Sequence, residues 1–484
     1  MRRLSRMWIV AMVALLVCAA WGQDSSVPQD NAAPPQDNSA QQPVPAYGQG
    51  ASTAPISENP PISGLDDPGL EPHGAPLSYI QPGATVSESA DSNIQNSLGG
   101  SSTQSVTRAL GSLTLQRLWS HYDLALQYGG GVAYYNEKGI GWKLMQQMDL
   151  DQKITWKRGQ LSLRDSFSYL PEGNFGAAYG SLGSQGIASV GSTAFNSFWG
   201  GSAFGTLGLV PRILNLGLVD VEQNLSPKSA VTAAAGYAIT HFYGNDPQTH
   251  ISYLNDSQIS AQAGYNRVIT PHTQIAAVYG YQGFDFSASN LFTPSTAFHS
   301  HVIQGLVGHR ISGRMDFVVS AGPQFTHINI TTGAGTTPDF RIGVAGHADL
   351  RYRFTRTAVD LTYQRYETSG SGFFAGAQTD LARLKLDRPL SRVWGGFADG
   401  GYSRNSRLQA AGAGLAANNY SYGFAGAGLH RAFGHDFHAF ASYEFNRLIF
   451  DNTFCGISGP CNRSGNRHVL SIGLDWTPRP LRID

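Results

Sequence analysis

DFRIGVAGHADLRYRF, residues Asp339 to Phe354, decides the fold. Its odd positions are Asp339, Arg341, Gly343, Ala345, His347, Asp349, Arg351 and Arg353. Its even positions are Phe340, Ile342, Val344, Gly346, Ala348, Leu350, Tyr352 and Phe354. A β-strand sends alternate side chains to opposite faces, so this segment has one charged face and one greasy face along its length. Sixteen residues is about three times the ordinary length of a soluble strand. A long strand that is apolar on one side and ionic on the other suits a wall between hydrocarbon and water.

The same alternation recurs outward from this stretch. In 252–269, Ile259, Ala261, Ala263 and Tyr265 oppose Asp256, Gln258, Ser260, Gln262 and Asn266. Near the end of the chain, Leu470, Ile472, Leu474 and Trp476 oppose Ser471, Gly473 and Asp475. Aromatic residues gather at strand ends (Trp119 and Tyr122, Trp142 and Trp156, Tyr352 and Phe354), as the two interfacial girdles of a membrane barrel require. Two segments, 273–286 and 420–433, carry Gly and Tyr on both faces and leave their orientation open.

Connection lengths alternate as well. Tight links fall at Ser120-His121, Lys157–Gly159, Ser226–Lys228, Thr270–His272, Ser312-Gly313, Thr355-Arg356, Leu390-Ser391 and Gly434–Asp436. Between them lie longer loops rich in Gly, Ser and Asn, such as 131–142, 287–297, 406–419 and 451–465. Short turns on one side and long loops on the other belong to an up-and-down transmembrane barrel. From Arg108 the pattern gives 17 strands, the last ending on the short-turn side. An even number is the rule, so 83–93 supplies the opening strand. The expectation is an all-β, antiparallel barrel of 18 strands over residues 83–477, with 16 as the fallback.

Composition fits this class. The 484 residues include 57 Gly, 21 Tyr and 24 Phe, yet only 14% are charged, and 6 Lys stand against 27 Arg. A formal net charge of zero disfavours a nucleic-acid partner held by a basic surface. After the N-terminus no run approaches the 18 or so apolar residues of a spanning helix. At the N-terminus, Arg2, Arg3 and Arg6 precede an apolar run from Trp8 to Trp21, with small residues before Gln23. This describes a secretory signal peptide over 1–22. Residues 23–82 hold 12 of the 24 prolines, with Gln, Asn, Ser and Ala between them. Such a segment cannot bury enough apolar surface to offset its ordering entropy, so it reads as a disordered periplasmic linker. Residues 478–484 read as a C-terminal tail.

These features resemble the outer-membrane β-barrels of Gram-negative bacteria, among them the porin-sized ones, and the resemblance covers about 395 residues. Gly83–Asn93, followed by Ile94, is similar to the opening strand of barrels associated with exopolysaccharide export, where an acidic residue precedes Asn and Ile. Ser471–Trp476 is similar to the signal read by the barrel-assembly machinery, although Pro478 interrupts the final alternation. The resemblance implies placement in the outer membrane, with the lipid bilayer and the assembly machinery as partners. A homo-oligomer is compatible with it, because trimers are common among such proteins.

Candidate functional residues follow from facing. A charge turned to lipid at mid-depth costs about 2–4 kcal/mol for Arg or Lys, so charged residues are expected inside. Asp339, Arg341, His347, Asp349, Arg351, Arg353, Asp360, Arg383, Lys385, Asp387 and Asp475 are therefore the expected pore-lining set. They stiffen the wall as ion pairs, or form a polar pathway with mild anion preference. The longest loop, 170–212, lies between the fifth and sixth strands, where porins fold a constriction into the lumen. Gly173–Pro211 contains no charge, and Phe175, Tyr179, Phe195, Phe198, Trp199 and Phe204 make it an apolar constriction or an external loop. Cys455 and Cys461, five residues apart in one loop of an exported chain, are expected to form a disulfide. His299 and His301 share a strand face but lack a third ligand, so no metal and no cofactor is expected. No G-x-S-x-G or H-E-x-x-H motif points to an enzyme. Two functions remain: a channel for passive diffusion of small polar solutes, or a structural or secretion-linked barrel, exopolysaccharide-associated, that binds a periplasmic partner through 23–82.

Overall fold

The computed structural model describes residues 78–94, 102–137, 140–170, 211–243, 255–287, 295–332, 335–370, 374–408, 418–452 and 462–483. The signal peptide, nearly all of the linker, the 171–210 loop with its aromatic residues, and the Cys455–Cys461 pair lie outside the described residues.

Eighteen long strands follow one another in chain order: β1 (Tyr79–Asp91), β2 (Gln104–Leu118), β3 (Tyr122–Tyr135), β4 (Gly141–Trp156), β5 (Gly159–Leu170), β6 (Arg212–Ser226), β7 (Ser229–Phe242), β8 (Asn255–Thr270), β9 (Thr273–Ser287), β10 (Ser295–Ser312), β11 (Met315–Thr332), β12 (Gly335–Arg353), β13 (Ala358–Thr368), β14 (Ala377–Pro389), β15 (Trp394–Arg407), β16 (Asn419–Phe433), β17 (Phe437–Phe450) and β18 (Ser464–Trp476). A two-residue β19, Leu481–Arg482, follows. Each long strand pairs antiparallel with its sequence neighbours, and β1 closes on β18 from Ala84 opposite Trp476 to Asp91 opposite Val469. Among the described residues no helix is long and apolar enough to cross a membrane, and the crossing is made by strands. Pairing β1 with β18 leaves neither the first nor the last long strand with a free edge, as backbone lying in lipid requires.

The expected eight tight links all join consecutive strands on one side, the side where β1 begins and β18 ends. Differences lie at the margins. β1 starts at Tyr79, not Gly83, because Tyr79 and Ile80 continue the β2 ladder and are also paired by Arg482 and Leu481. That pairing makes part of 478–484 a strand. β3 and β4 run into the expected 131–142 loop. Gly131 belongs to β3 because the carbonyl of Ala109 comes so near that a Cβ would sit 2.1 Å from it. Only two residues separate β11 from β12 on the long-loop side.

The exposed large hydrophobics all belong to one face of each strand, including Ile259, Ile303, Val319, Ile342, Leu361, Leu384 and Leu474. From Tyr352 to Ile342 the outward row of β12 climbs ten residues, about 25 Å along a strand tilted ~40°, the height of a barrel's apolar band. Trp119, Tyr122, Trp156, Phe354, Trp394, Phe433, Phe437 and Trp476 mark its tight-turn edge, while Tyr134 and Trp142 mark the other. The inward faces carry the buried polar groups and four apolar clusters, so the packed core lies on the inside of the wall.

Candidate functional site: the inner wall and an inturned hairpin

The inner wall of β11–β15 is ionic toward the tight-turn side. Register places Asp349, Arg351, Arg353, Asp360, Arg383, Lys385 and Asp387 on the face opposite Leu350, Leu361 and Leu384, which puts them inside. Asp349 accepts from Arg351 Nε at 3.1 Å and from Thr362 Oγ1 at 2.8 Å, and Asp360 pairs across the ladder with Arg351. Arg383 forks onto Asp399, with Nε 3.0 Å from Oδ1 and Nη2 in close contact with Oδ2. Lys385 lies 3.3 Å from Asp387, and both side chains stay substantially exposed to the interior. His347 stands on the same face of β12, beyond Asp349. On the facing part of the wall, Arg164 is 3.9 Å from Asp151, and Ser166 donates to Asp149 at 2.5 Å.

Asp475 and Asp339 stand apart from this group. Asp475 accepts from Thr85 at 2.7 Å and Thr477 at 2.9 Å, at the closing seam. Asp339 is exposed at the far end of β12. Higher on the same seam, Arg467 Nε donates to both oxygens of Asp91, at 2.8 and 3.0 Å, and Arg108 donates to Ser89 at 2.8 Å. Asp91, Arg108, Arg467, Asp399 and Glu367 were not among the residues expected from sequence. The partners of the clasp, Asp91 and Arg467, are 376 residues apart and meet only because the barrel closes. Asp399 sits in a glycine-rich strand with weak alternation.

The long-loop half of the inner wall is aromatic. Phe284, Phe286, Phe298, Ile328 and Leu408 form one buried cluster, and Phe374, Tyr420, Tyr422, Phe424, Leu448 and Phe450 lie in another. They are joined by an irregularity in the barrel. β12 pairs β13 only from Arg353 opposite Ala358 to Gly346 opposite Arg365. Beyond Arg365, β13 parts from β12 but stays paired with β14 as far as Thr368 opposite Ala377. Glu367 is 1% exposed and accepts from Thr326 Oγ1 at 2.5 Å, on the inner face of β11. Thr368 and Thr379 hydroxyls lie 3.1 Å apart, and Thr379 donates to Asn405 at 2.7 Å, tying the hairpin to β15. Phe374 packs on Tyr420 with ring centres 5.4 Å apart, and Gly376 (φ 91°) abuts the Phe298 ring so closely that a Cβ would lie 2.6 Å from it. Glu367, Phe374 and Gly376, on the described flanks of this hairpin, thus lie against the inside of the wall.

His299 and His301 face outward: Ile303 and Val307 share their face and are exposed. Each imidazole Nδ1 is hydrogen-bonded to a tyrosine hydroxyl, His301 to Tyr279 at 2.7 Å and His299 to Tyr281 at 2.9 Å. Among the described residues no group of three or more His, Cys, Asp or Glu is arranged to hold a metal.

A closed antiparallel barrel, apolar outside and ionic inside, is an integral outer-membrane protein of the Gram-negative envelope. No protein-family model and no curated protein matches the chain. Solved structures similar to it include OccK2 (OpdF) of Pseudomonas aeruginosa, at 9% identity and a TM-score of 0.39, covering 82% of this chain and 98% of that one. A BenF-like porin from Pseudomonas fluorescens Pf-5 is similar at 8% identity and 0.38, covering 84% and 99%. The unliganded ferric citrate transporter FecA is similar at 8% and 0.43, covering 84% and 79%. At such values the assignment rests on this barrel's own geometry.

Proposed function

We propose that the protein is a channel for passive diffusion of small polar solutes across the outer membrane. The observation that carries this reading is the strand number combined with wall polarity. Barrels of 16–18 strands leave an aqueous interior, and this one lines its tight-turn half with Asp349, Arg351, Asp360, Arg383, Lys385, Asp387 and Asp399. Small-barrel interiors, by contrast, fill with side chains. The exposed Lys385 and Asp387 are placed to meet passing solute, while the Arg383–Asp399 fork is nearly buried and braces the wall. Asp339 and Arg341 stand toward the external end of the path, and His347 between the two regions.

Liposomes carrying the purified full chain should swell in isotonic solutions of small neutral sugars and keep their volume in isotonic solutions of larger polysaccharides. Absence of swelling with every solute, for protein that is folded and inserted, contradicts the proposal. The secretion-linked alternative gains no specific support from the described residues.

A further inference from the structure

We infer that the outward face of β15–β17, at its external end, binds an anionic lipid of the outer leaflet whose headgroup carries phosphate. The site lies on the lipid side of the wall, opposite the path proposed above.

Two arginines mark it. Arg404 belongs to the outward row of β15, with Trp394 and Tyr402, while its neighbours Ser403 and Asn405 are 1% and 0% exposed. Arg447 belongs to the outward row of β17, with Phe437 and Tyr443, while Asn446 and Leu448 beside it are buried. Both arginines are exposed. Trp394 to Arg404 and Phe437 to Arg447 each climb ten residues, about 25 Å along strands tilted ~40°. Both guanidinium groups therefore stand where the apolar band ends on the long-loop side. Long loops are external in such barrels, so this is the headgroup level of the outer leaflet. The outward rows of the other described strands carry Arg117, Arg267, Arg388 and Arg431 at the tight-turn end, and Arg365 on β13. Arg365 is engaged by Asp380 at 3.4 Å, and Tyr363 donates to the same carboxylate at 2.9 Å. Asp380 is also the ladder partner of Arg404, but Arg365 already balances its charge. Among the described residues neither Arg404 nor Arg447 enters an ion pair.

Register brings the two cations to one place. Arg404 is opposite Ser421 and Arg447 opposite Gly423, so they flank β16 at two strand spacings, about 10 Å apart across the strands. The floor between them is the Ser421 hydroxyl, to which Tyr402 donates at 2.9 Å, and the bare backbone of Gly423. A Cβ at Gly423 would find its nearest neighbour, Tyr402, at 3.8 Å, so the floor is open to a ligand. Toward mid-membrane, outward Gly396, Ala398 and Gly400 on β15 and Ala425 and Ala427 on β16 make a shallow trough. Exposed Leu384 on β14 and Tyr443 on β17 form its banks. The trough seats an acyl chain, and the arginines above it take the phosphate, which a guanidinium fork grips with two parallel hydrogen bonds. Charge decides the occupant. A second copy docked face to face through a two-fold axis would set these same cations against each other, whereas an anionic headgroup neutralises them.

The full-length protein, purified in neutral detergent and stripped of lipid, tests the site by native mass spectrometry with added diphosphoryl lipid A. That measurement reads bound lipid and oligomeric state together. Each cation near an anionic leaflet strengthens binding about fivefold, so Arg404→Gln/Arg447→Gln should weaken lipid A retention about twenty-five-fold and either single change about fivefold. Arg404→Lys/Arg447→Lys keeps the charge and should retain most of it. Arg431→Gln, outward on β16 but at the tight-turn end, should leave retention unchanged. Ala425→Phe fills the trough and should weaken retention with both arginines in place, and excess inorganic phosphate should not displace the lipid. Tryptophan fluorescence checks that each variant is folded. Equal retention by wild type and the double glutamine variant overturns the inference, as does equal retention of a zwitterionic phospholipid. Displacement by inorganic phosphate would make it a free-anion site, and loss of an oligomer rather than of lipid would make it a contact between copies; either result overturns it too.

Discussion

Replacing Arg467 by alanine should loosen the barrel at its closure. Asp91 has no exposed surface and Arg467 is 6% exposed, and the guanidinium donates to both carboxylate oxygens. Removing one partner leaves the other charge buried without its counter-ion, which costs about 3–5 kcal/mol. At about 1.4 kcal/mol per tenfold change, this is a shift of roughly one hundred and forty- to several thousand-fold in the folding equilibrium. Asn93 N–H also donates to Asp91 at 2.9 Å, which moderates the loss toward the lower end. Urea titration of the barrel in lipid bilayers, followed by tryptophan fluorescence, reads the change directly. Asp91→Ala alone should cost a comparable amount, and the double variant much less than the sum, with a coupling of about 0.5–3 kcal/mol. A loss below about 1 kcal/mol for Arg467→Ala, with additive behaviour in the double variant, would refute the claim that this pair clasps the first strand to the last.

Three further outcomes are expected. Ile303→Arg places a cation on the outward face within the apolar band and should cost about 2–4 kcal/mol, whereas the same change at Lys385 is tolerated; equal stability in urea titration would mean that the face of Ile303 does not touch lipid. Gly322→Ala puts a Cβ 1.7 Å from the Ile303 carbonyl oxygen, so β10 and β11 must separate, at a cost of about 1–3 kcal/mol by the same titration. Lys385→Glu reverses a charge exposed to the interior, so the reversal potential in a salt gradient should move toward cation preference; no movement would place Lys385 outside the conducting path.

The barrel was legible because its cause is local: lipid on one side and water on the other impose a two-residue period that DFRIGVAGHADLRYRF displays without ambiguity. Strand number followed from the same logic, through the alternation of tight and long connections. Where the period blurs, legibility ends. In β9 and β16 the inward positions are Phe284, Phe286, Tyr420, Tyr422 and Phe424, aromatic residues that sequence pattern would send to lipid. Ladder register puts them on the inner face, where Phe374 packs on Tyr420 and Gly376 abuts Phe298, tertiary contacts no local window contains. Glu367 has the parity of an outward residue and is buried inside for the same reason. Asp91 and Arg467 lie in separate, unremarkable stretches, and only ring closure joins them.

The most direct measurement is a single-channel recording of the purified full chain in planar lipid bilayers. An aqueous lumen predicts discrete upward current steps that scale with salt concentration. A barrel shown to be folded and inserted, yet without steps at any voltage or salt concentration, would contradict the central claim that its interior conducts.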